Sequence, residues 1–244
     1  MKQFVRSELI FGKEAIEKLS KVHIAIFGVG GVGGYVAESL ARTGVGHFTL
    51  IDNDVVSITN INRQIIADTT TIGQAKVDVM KDRILKINPT ATVEMKKMFF
   101  LEENDEIDFQ TFDYIVDAID TVKAKIALVV TANKYNIPII SSMGAGNKVN
   151  PMGFIVSDIS KTEMDPLAKV MRLELRKRGI KHLKVAYSKE KPLPPMDYEV
   201  EDSSGKRSVP GSNAFVPSAC GLLIASEVVR DLTNDVARDE LKRK

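Results

Sequence analysis

Residues 24–34, IAIFGVGGVGG, and residues 50–64, LIDNDVVSITNINRQ, decide the architecture of this 244-residue chain. The first stretch is an apolar run that breaks into closely spaced glycines. The second is an apolar run that ends in Asp52, Asn53 and Asp54 and passes into a polar cluster containing Asn60, Asn62 and Arg63. A strand, a glycine turn that opens a helix, and a second strand tipped by an acid form a βαβ unit built to hold a nucleotide. Gly28, Gly30 and Gly33 fill a G-x-G-x-x-G pattern, with Gly31 inside it. The first permits the tight turn, the second lets backbone approach phosphate, and the third lets the helix lie close to the sheet. Asp52 follows the last of these glycines by roughly 20 residues, the spacing at which a carboxylate accepts hydrogen bonds from ribose.

Working outward, strand and helix patterns alternate from residue 22 to about 142, which favours a parallel sheet with helices on both faces. Segments 22–27, 48–51, 93–95, 114–116 and 137–140 are predicted strands, and 32–42, 74–87 and 122–135 carry apolar residues at helical spacing. Beyond Gly144 turn residues flank a short apolar run at 154–156, expected as an antiparallel edge strand. A basic helix over 166–178 stops at Gly179, and a further strand is expected at 184–187. Residues 188–213 are rich in proline, serine, glycine and charge, the composition of a mobile flank, and a last helix over 217–232 returns to the core. The expected fold class is thus α/β: a Rossmann-like, mostly parallel sheet, extended by antiparallel edge strands and C-terminal helices. It forms one domain over 1–244, with a nucleotide-binding half (1–150) and a substrate-facing half (151–244).

Composition narrows the function. A hydrophobic content of 44% supports a full core, and a formal charge of +2 neither demands nor excludes nucleic acid, so any such contact needs a local patch. The single cysteine excludes a disulfide framework and CxxC zinc sites and suits a reducing compartment. No secretory signal is visible at the start, and the apolar stretch 215–229 is shorter than the roughly 20 residues that span a bilayer. A cytoplasmic location without membrane attachment is expected. The three histidines form no ligand spacing, and no zinc is expected.

A hydride-transfer enzyme would be the ordinary inference from the glycine motif, yet Arg63, Lys76 and Asp120 are more than a dinucleotide requires. A triphosphate needs cations for its outer phosphates and a carboxylate for magnesium. Each residue also has a plain alternative: Arg63 a surface ion pair, Lys76 a solvated helix residue, Asp120 the N-cap of the helix at 122. Asp52 and Asp120 both stand at carboxyl ends of predicted parallel strands, where open α/β sheets bind ligands.

The glycine motif, LIDNDVVSITNINRQ, GQAKV (73–77) and VDAID (116–120) occur in an order that closely resembles the ubiquitin-activating-enzyme-like adenylyltransferases. That group includes the activators of thiamine and molybdopterin sulfur carriers. The resemblance implies that Asp52 holds the ribose, that Asn60, Arg63 and Lys76 contact ATP phosphates, and that Asp120 holds magnesium. It also implies a homodimer in which Arg6, within FVRSELIFG (4–12), reaches the partner's ATP site.

Activators of sulfur carriers commonly carry two CxxC pairs, which this chain lacks, and Cys220 sits in an apolar helix where a buried structural thiol is expected. The segments DPLAKVMRLELRKRGIKHLKVAYSKEKP (165–192) and GSNAFVPSACGLLIAS (211–226) resemble the tRNA threonylcarbamoyladenosine dehydratases over essentially the whole chain. That resemblance implies ATP-dependent activation of a carboxylate on a modified tRNA adenosine, followed by cyclisation with loss of water. The alternative is adenylation of the C-terminus of a ubiquitin-like sulfur carrier. A non-catalytic nucleotide-sensing scaffold is the reading outside enzymology. With tRNA as substrate, Lys169, Arg172, Arg176, Lys177, Arg178, Lys181 and Lys184 become candidate phosphate contacts, against the simpler reading of a solvated helix face. An alkali cation in the GAGNK loop (144–148) and a sulfur-acceptor or cysteine-desulfurase partner also fall within what the resemblance admits.

Overall fold

Two short helices, α1 (Val5–Phe11) and α2 (Lys13–Leu19), lead into strand β1 (His23–Phe27), which turns through the glycines into helix α3 (Gly33–Thr43) and strand β2 (His47–Ile51). The chain continues through α4 (Lys76–Ile87), β3 (Thr92–Lys96), β4 (Tyr114–Asp117), α5 (Val122–Tyr135) and β5 (Ile139–Ser142). The second half adds β6 (Phe154–Asp158), α6 (Pro166–Lys177), β7 (Lys184–Ser188) and α7 (Val216–Thr233). The computed structural model describes residues 2–101, 107–194, 196, 210–236 and 241. Residues 195 and 197–209, most of the predicted mobile flank, lie outside the described residues.

The seven strands form one sheet in the order β3-β2-β1-β4-β5-β7-β6. The expected α/β class and edge strand are present: β6 runs antiparallel to β7 at the sheet border. Strand β7, expected without an orientation, pairs parallel with β5 and antiparallel with β6, and so lies between them. Helix α6 supplies the crossover that a parallel pairing requires. Helix α4 also starts later than its periodicity suggests, because Val56 N–H donates to the Gln74 carbonyl (2.8 Å) and Ala75 stays extended in a bridge to Val55.

Ile24, Ala25, Ile26 and Phe27 are all fully buried, as expected of a central parallel strand covered on both faces. Ile24 and Ile26 pack with α3, α4 and α7, while Ala25 and Phe27 face Phe100, Phe109 and α5 on the other side. Burying each isoleucine or phenylalanine side chain contributes about 1.5–3 kcal/mol. A third cluster joins α5 and α6 to Val185 and Tyr187 of β7. The strand order reverses between β2-β1 and β1-β4, so the crevice beyond the carboxyl end of β1 is the topological switch point.

Candidate active site

The switch point is built by the glycine turn. Gly28 has φ 88°, and a Cβ there would lie 2.6 Å from the Ala118 carbonyl oxygen; one on Gly33 would lie 1.8 Å from the Gly28 oxygen. No other residue type fits either position without moving backbone. Around Gly30 the nearest atom to an added Cβ is Gln64 Nε2 at 3.8 Å, which leaves room for a ligand over the start of α3.

Asp52 ties this turn to the end of β2. Its Oδ2 accepts from Val29 N–H (2.7 Å) and its Oδ1 from Asp54 N–H (2.8 Å). Burial raises the carboxyl pKa above the usual range, a shift opposed by the nearby Lys76 charge and by the two backbone donors. Lys76 is the first residue of α4 and is buried, so it is not the solvated helix residue that the sequence alone permits. Its Nζ donates to Asp54 Oδ2 at 2.7 Å. Asn60 is buried and closes its own turn, accepting from Ser57 N–H at 3.2 Å. Half-buried Arg63 is held by Nη1 bonds to the Thr59 carbonyl (2.7 Å) and to Asn62 Oδ1 (3.0 Å) rather than by a carboxylate, and burial lowers its pKa.

Asp120 stands exposed past the end of β4, where its Oδ1 accepts from the Thr121 hydroxyl at 3.2 Å. The N-cap of α5 is Thr121, not Asp120. Two features of the site escaped sequence reasoning. Gln64 is buried, and its Oε1 has no hydrogen-bond partner among the described residues. Its position directly after Arg63 in the polar cluster is the one signal that marks it. The second is Asp117 with Lys125, a wholly buried ion pair at 2.9 Å beneath the Asp120 loop. A lysine inside the apolar α5 pattern is the trace it leaves in the sequence.

The GAGNK loop holds a cation of its own. Lys148 Nζ donates to the Gly144 carbonyl (2.6 Å) and to Asp165 Oδ2 (3.1 Å), with both side chains buried. An alkali ion does not fit those same oxygens while the ammonium occupies them. Cys220 is fully buried, its thiol pushed up to about 11 by desolvation, with Ser142 Oγ at 3.5 Å. Its burial is as expected.

The basic helix is less open than its sequence suggests. Arg172 turns inward, its Nη1 donating to the Thr162 carbonyl (2.9 Å) and to Thr162 Oγ1 (2.5 Å). Lys177 and Arg178 pair with Glu174 at 2.6 and 2.9 Å. Lys184 is committed to Glu227 (3.0 Å) and Asp231 (2.7 Å). Lys169, Arg176 and Lys181 remain exposed. The candidate nucleic-acid set therefore loses Arg172 to an internal contact. Lys184, named with it, is likewise engaged by the carboxylates of α7.

A glycine cradle, a turn-bound carboxylate, a buried lysine, a half-buried arginine and an amide oxygen without a partner among the described residues, all at a switch point, define a nucleotide-binding α/β protein. The ThiF family model matches residues 4–243, and the chain belongs to that family. It is 48% identical over 250 residues to the tRNA threonylcarbamoyladenosine dehydratase of Bacillus subtilis, covering 99% of this chain and 97% of that protein. The crystal structure of the E. coli tRNA N6-threonylcarbamoyladenosine dehydratase, TcdA, in complex with ATP superposes with a TM-score of 0.83 at 32% identity, covering 95% of this chain and 93% of that one. Similarity to the adenylyltransferase and sulfurtransferase UBA4 of Eremothecium gossypii is more distant: 29% identity over 131 residues, covering 54% of this chain and 30% of that protein. Among the described residues no helix is long and apolar enough to cross a membrane, and no cluster of His, Cys, Asp and Glu assembles a metal site.

Proposed function

We propose that this protein is an ATP-dependent dehydratase that cyclises threonylcarbamoyladenosine in tRNA by adenylating the side-chain carboxylate. The observation that carries the reading is the cradle: room above Gly30 and α3, flanked by Asp52, Lys76, Arg63 and the Gln64 oxygen that has no partner among the described residues. A carboxylate is a poor electrophile until adenylation supplies a leaving group. Once activated, it is attacked from within the same side chain, and orientation does most of the remaining work. No protein nucleophile is needed, which agrees with a buried Cys220 whose thiol is pushed up to about 11. The same thiol disfavours a sulfurtransferase reading, and the chemistry requires no sulfur-handling partner.

Asp52 would take the ribose, Asn60, Arg63 and Lys76 the phosphates, and Gln64 Oε1 a donor on the nucleotide. Magnesium is commonly held by one or two carboxylates plus substrate phosphates, so the exposed Asp120 suits it without a preformed cage. The ion would neutralise charge on the departing phosphates. Phe4, two residues before Arg6, packs on Gly44 at the far end of α3. The 11 residues of α3 separate that end from the glycine turn by roughly 16 Å. Arg6 would therefore act on a partner's site in a homodimer rather than on its own. The N-cap of α6, Asp165, binds Gly144 N–H (3.1 Å) just past β5. The basic end of α6 then points away from the crevice by roughly 18 Å, a suitable offset for tRNA phosphates beside a seated base. A cytoplasmic location completes the reading.

The test is to incubate the protein with ATP, magnesium and tRNA carrying threonylcarbamoyladenosine and then weigh the released nucleosides. Loss of one water is expected. ATP consumption with no mass change would overturn the assignment.

A further inference from the structure

Asn62 lies inside the polar cluster but has no part in the nucleotide site as described, and its amide faces two ways. Its Nδ2 donates to the Ser212 carbonyl (3.0 Å), and its Oδ1 accepts from Arg63 Nη1 (3.0 Å). Ser212 belongs to a leg, residues 210–213, that is fastened at Asn147. Asn147 N–H donates to the Gly211 carbonyl (2.8 Å), and Gly211 N–H donates to Asn147 Oδ1 (2.6 Å). Leu193 N–H also donates to the Asn147 carbonyl (2.8 Å). Asn213 extends the connection, its Nδ2 donating to the Lys148 carbonyl (2.8 Å) while its Oδ1 accepts from Val216 N–H (2.9 Å) at the start of α7. Lys148 in turn is paired with Asp165, whose Oδ1 accepts from Ala168 N–H in the first turn of α6.

A hydrogen-bonded path thus runs from the first turn of the basic helix to the guanidinium of Arg63. We infer that Asn62 is a positioning residue: it holds Arg63 ready for the outer phosphates and makes that readiness depend on Asn147 and the 210–213 leg. An amide is suited to this because its donor and acceptor share one rigid plane, so the bond to Ser212 fixes the direction in which Oδ1 faces Arg63. An arginine already held by two acceptors loses less freedom when an anion arrives. The inference rests on the proposed function through Arg63's contact with ATP.

Asn147 has φ 57°, a left-handed conformation, so Asn147→Gly removes the Oδ1 acceptor while keeping a backbone that tolerates the turn. Asn147→Asp keeps the acceptor. The experiment titrates full-length protein with magnesium-ATP and with AMP by calorimetry, for wild type, Asn62→Ala, Asn147→Gly, the double variant and Asn147→Asp. Each single loss is expected to weaken ATP binding about 10-fold, and the double variant about 10-fold as well instead of about 100-fold, because both cut one path. AMP, which lacks the outer phosphates, should bind with unchanged affinity, and Asn147→Asp should behave as wild type. Should Asn147→Gly not fold, Gly146→Ala displaces the same leg, since its Cβ would lie 2.9 Å from Pro210 Cβ. Multiplicative losses, or equal weakening of ATP and AMP, would overturn the relay. Wild-type protein that binds neither nucleotide would overturn the proposed function itself, and the relay with it.

Discussion

Lys125 Nζ lies 2.9 Å from Asp117 Oδ2, and both side chains are wholly buried. Ser141 Oγ donates to the same Asp117 oxygen (2.6 Å), Ile119 N–H donates to Oδ1 (3.2 Å), and Lys125 also donates to the Ile119 carbonyl (3.1 Å). The pair therefore fixes the 118–120 loop that ends in Asp120. Removing one partner strands the other charge in the interior, so Lys125→Met should cost about 3–5 kcal/mol of stability. The double variant Asp117→Asn/Lys125→Met should recover much of that loss. Denaturant titration at constant m-value decides the matter: a loss for the single variant under about 1 kcal/mol would contradict this role.

Two groups of arginines and lysines on or beside α6 should separate by phenotype. Replacing Lys169, Arg176 and Lys181 by Ala should weaken tRNA binding and lower the slope of log affinity against log salt by about 1 per lost phosphate contact, leaving ATP binding and stability alone. Arg172→Ala should instead lower stability, because its guanidinium satisfies the Thr162 and Ile159 carbonyls. Filter binding across a salt series, together with thermal melts, distinguishes them. Equal effects on both readouts from the two variants would refute the division.

Asp52 gives the site a pH dependence with a definite sign. Burial raises its pKa, so as pH falls the carboxylate is neutralised sooner than an ordinary aspartate. A ribose acceptor works best ionised; ATP affinity should accordingly be full near neutrality and decline on acidification, starting above the usual aspartate range. Asp52→Asn should bind ATP weakly, and that acid decline should disappear. An unchanged pH profile in Asp52→Asn would assign the decline to another group.

Cys220 should be chemically silent. With its thiol pushed up to about 11 and no exposed surface, the thiolate is scarce at neutral pH. Cys220→Ala should keep turnover within about two-fold, and the native thiol should react with an aromatic disulfide reagent only on unfolding. Loss of dehydration in a folded Cys220→Ala variant would reinstate a covalent step.

Much of the fold was legible along the chain because it rests on local periodicity. The run 22–27 reads as a strand of a parallel sheet with helices on both faces, and Ile24 to Phe27 are fully buried. The placement of β7 was not legible, since a short apolar run looks the same whether it pairs parallel or antiparallel. In the candidate site, Gly28, Gly33 and Asp52 were marked by motif spacing, and Asn60, Arg63 and Lys76 by the family resemblance. Gln64 and Asp117 were not, because burial, the property that distinguishes them, depends on residues elsewhere in the chain.

By itself the sequence determined the βαβ unit, the glycine turn and the acid at the end of β2, all consequences of residue type and short-range spacing. Only the tertiary structure decided which charges are free and which are consumed: Arg172 folded onto Thr162, Lys148 seated on Asp165, Lys184 drawn to Asp231. It alone also joined Asn62 to Ser212, 150 positions away. A hydrogen bond depends on distance and direction in space, and where distant segments meet is set by how the sheet stacks its helices, information that no local window of residues contains.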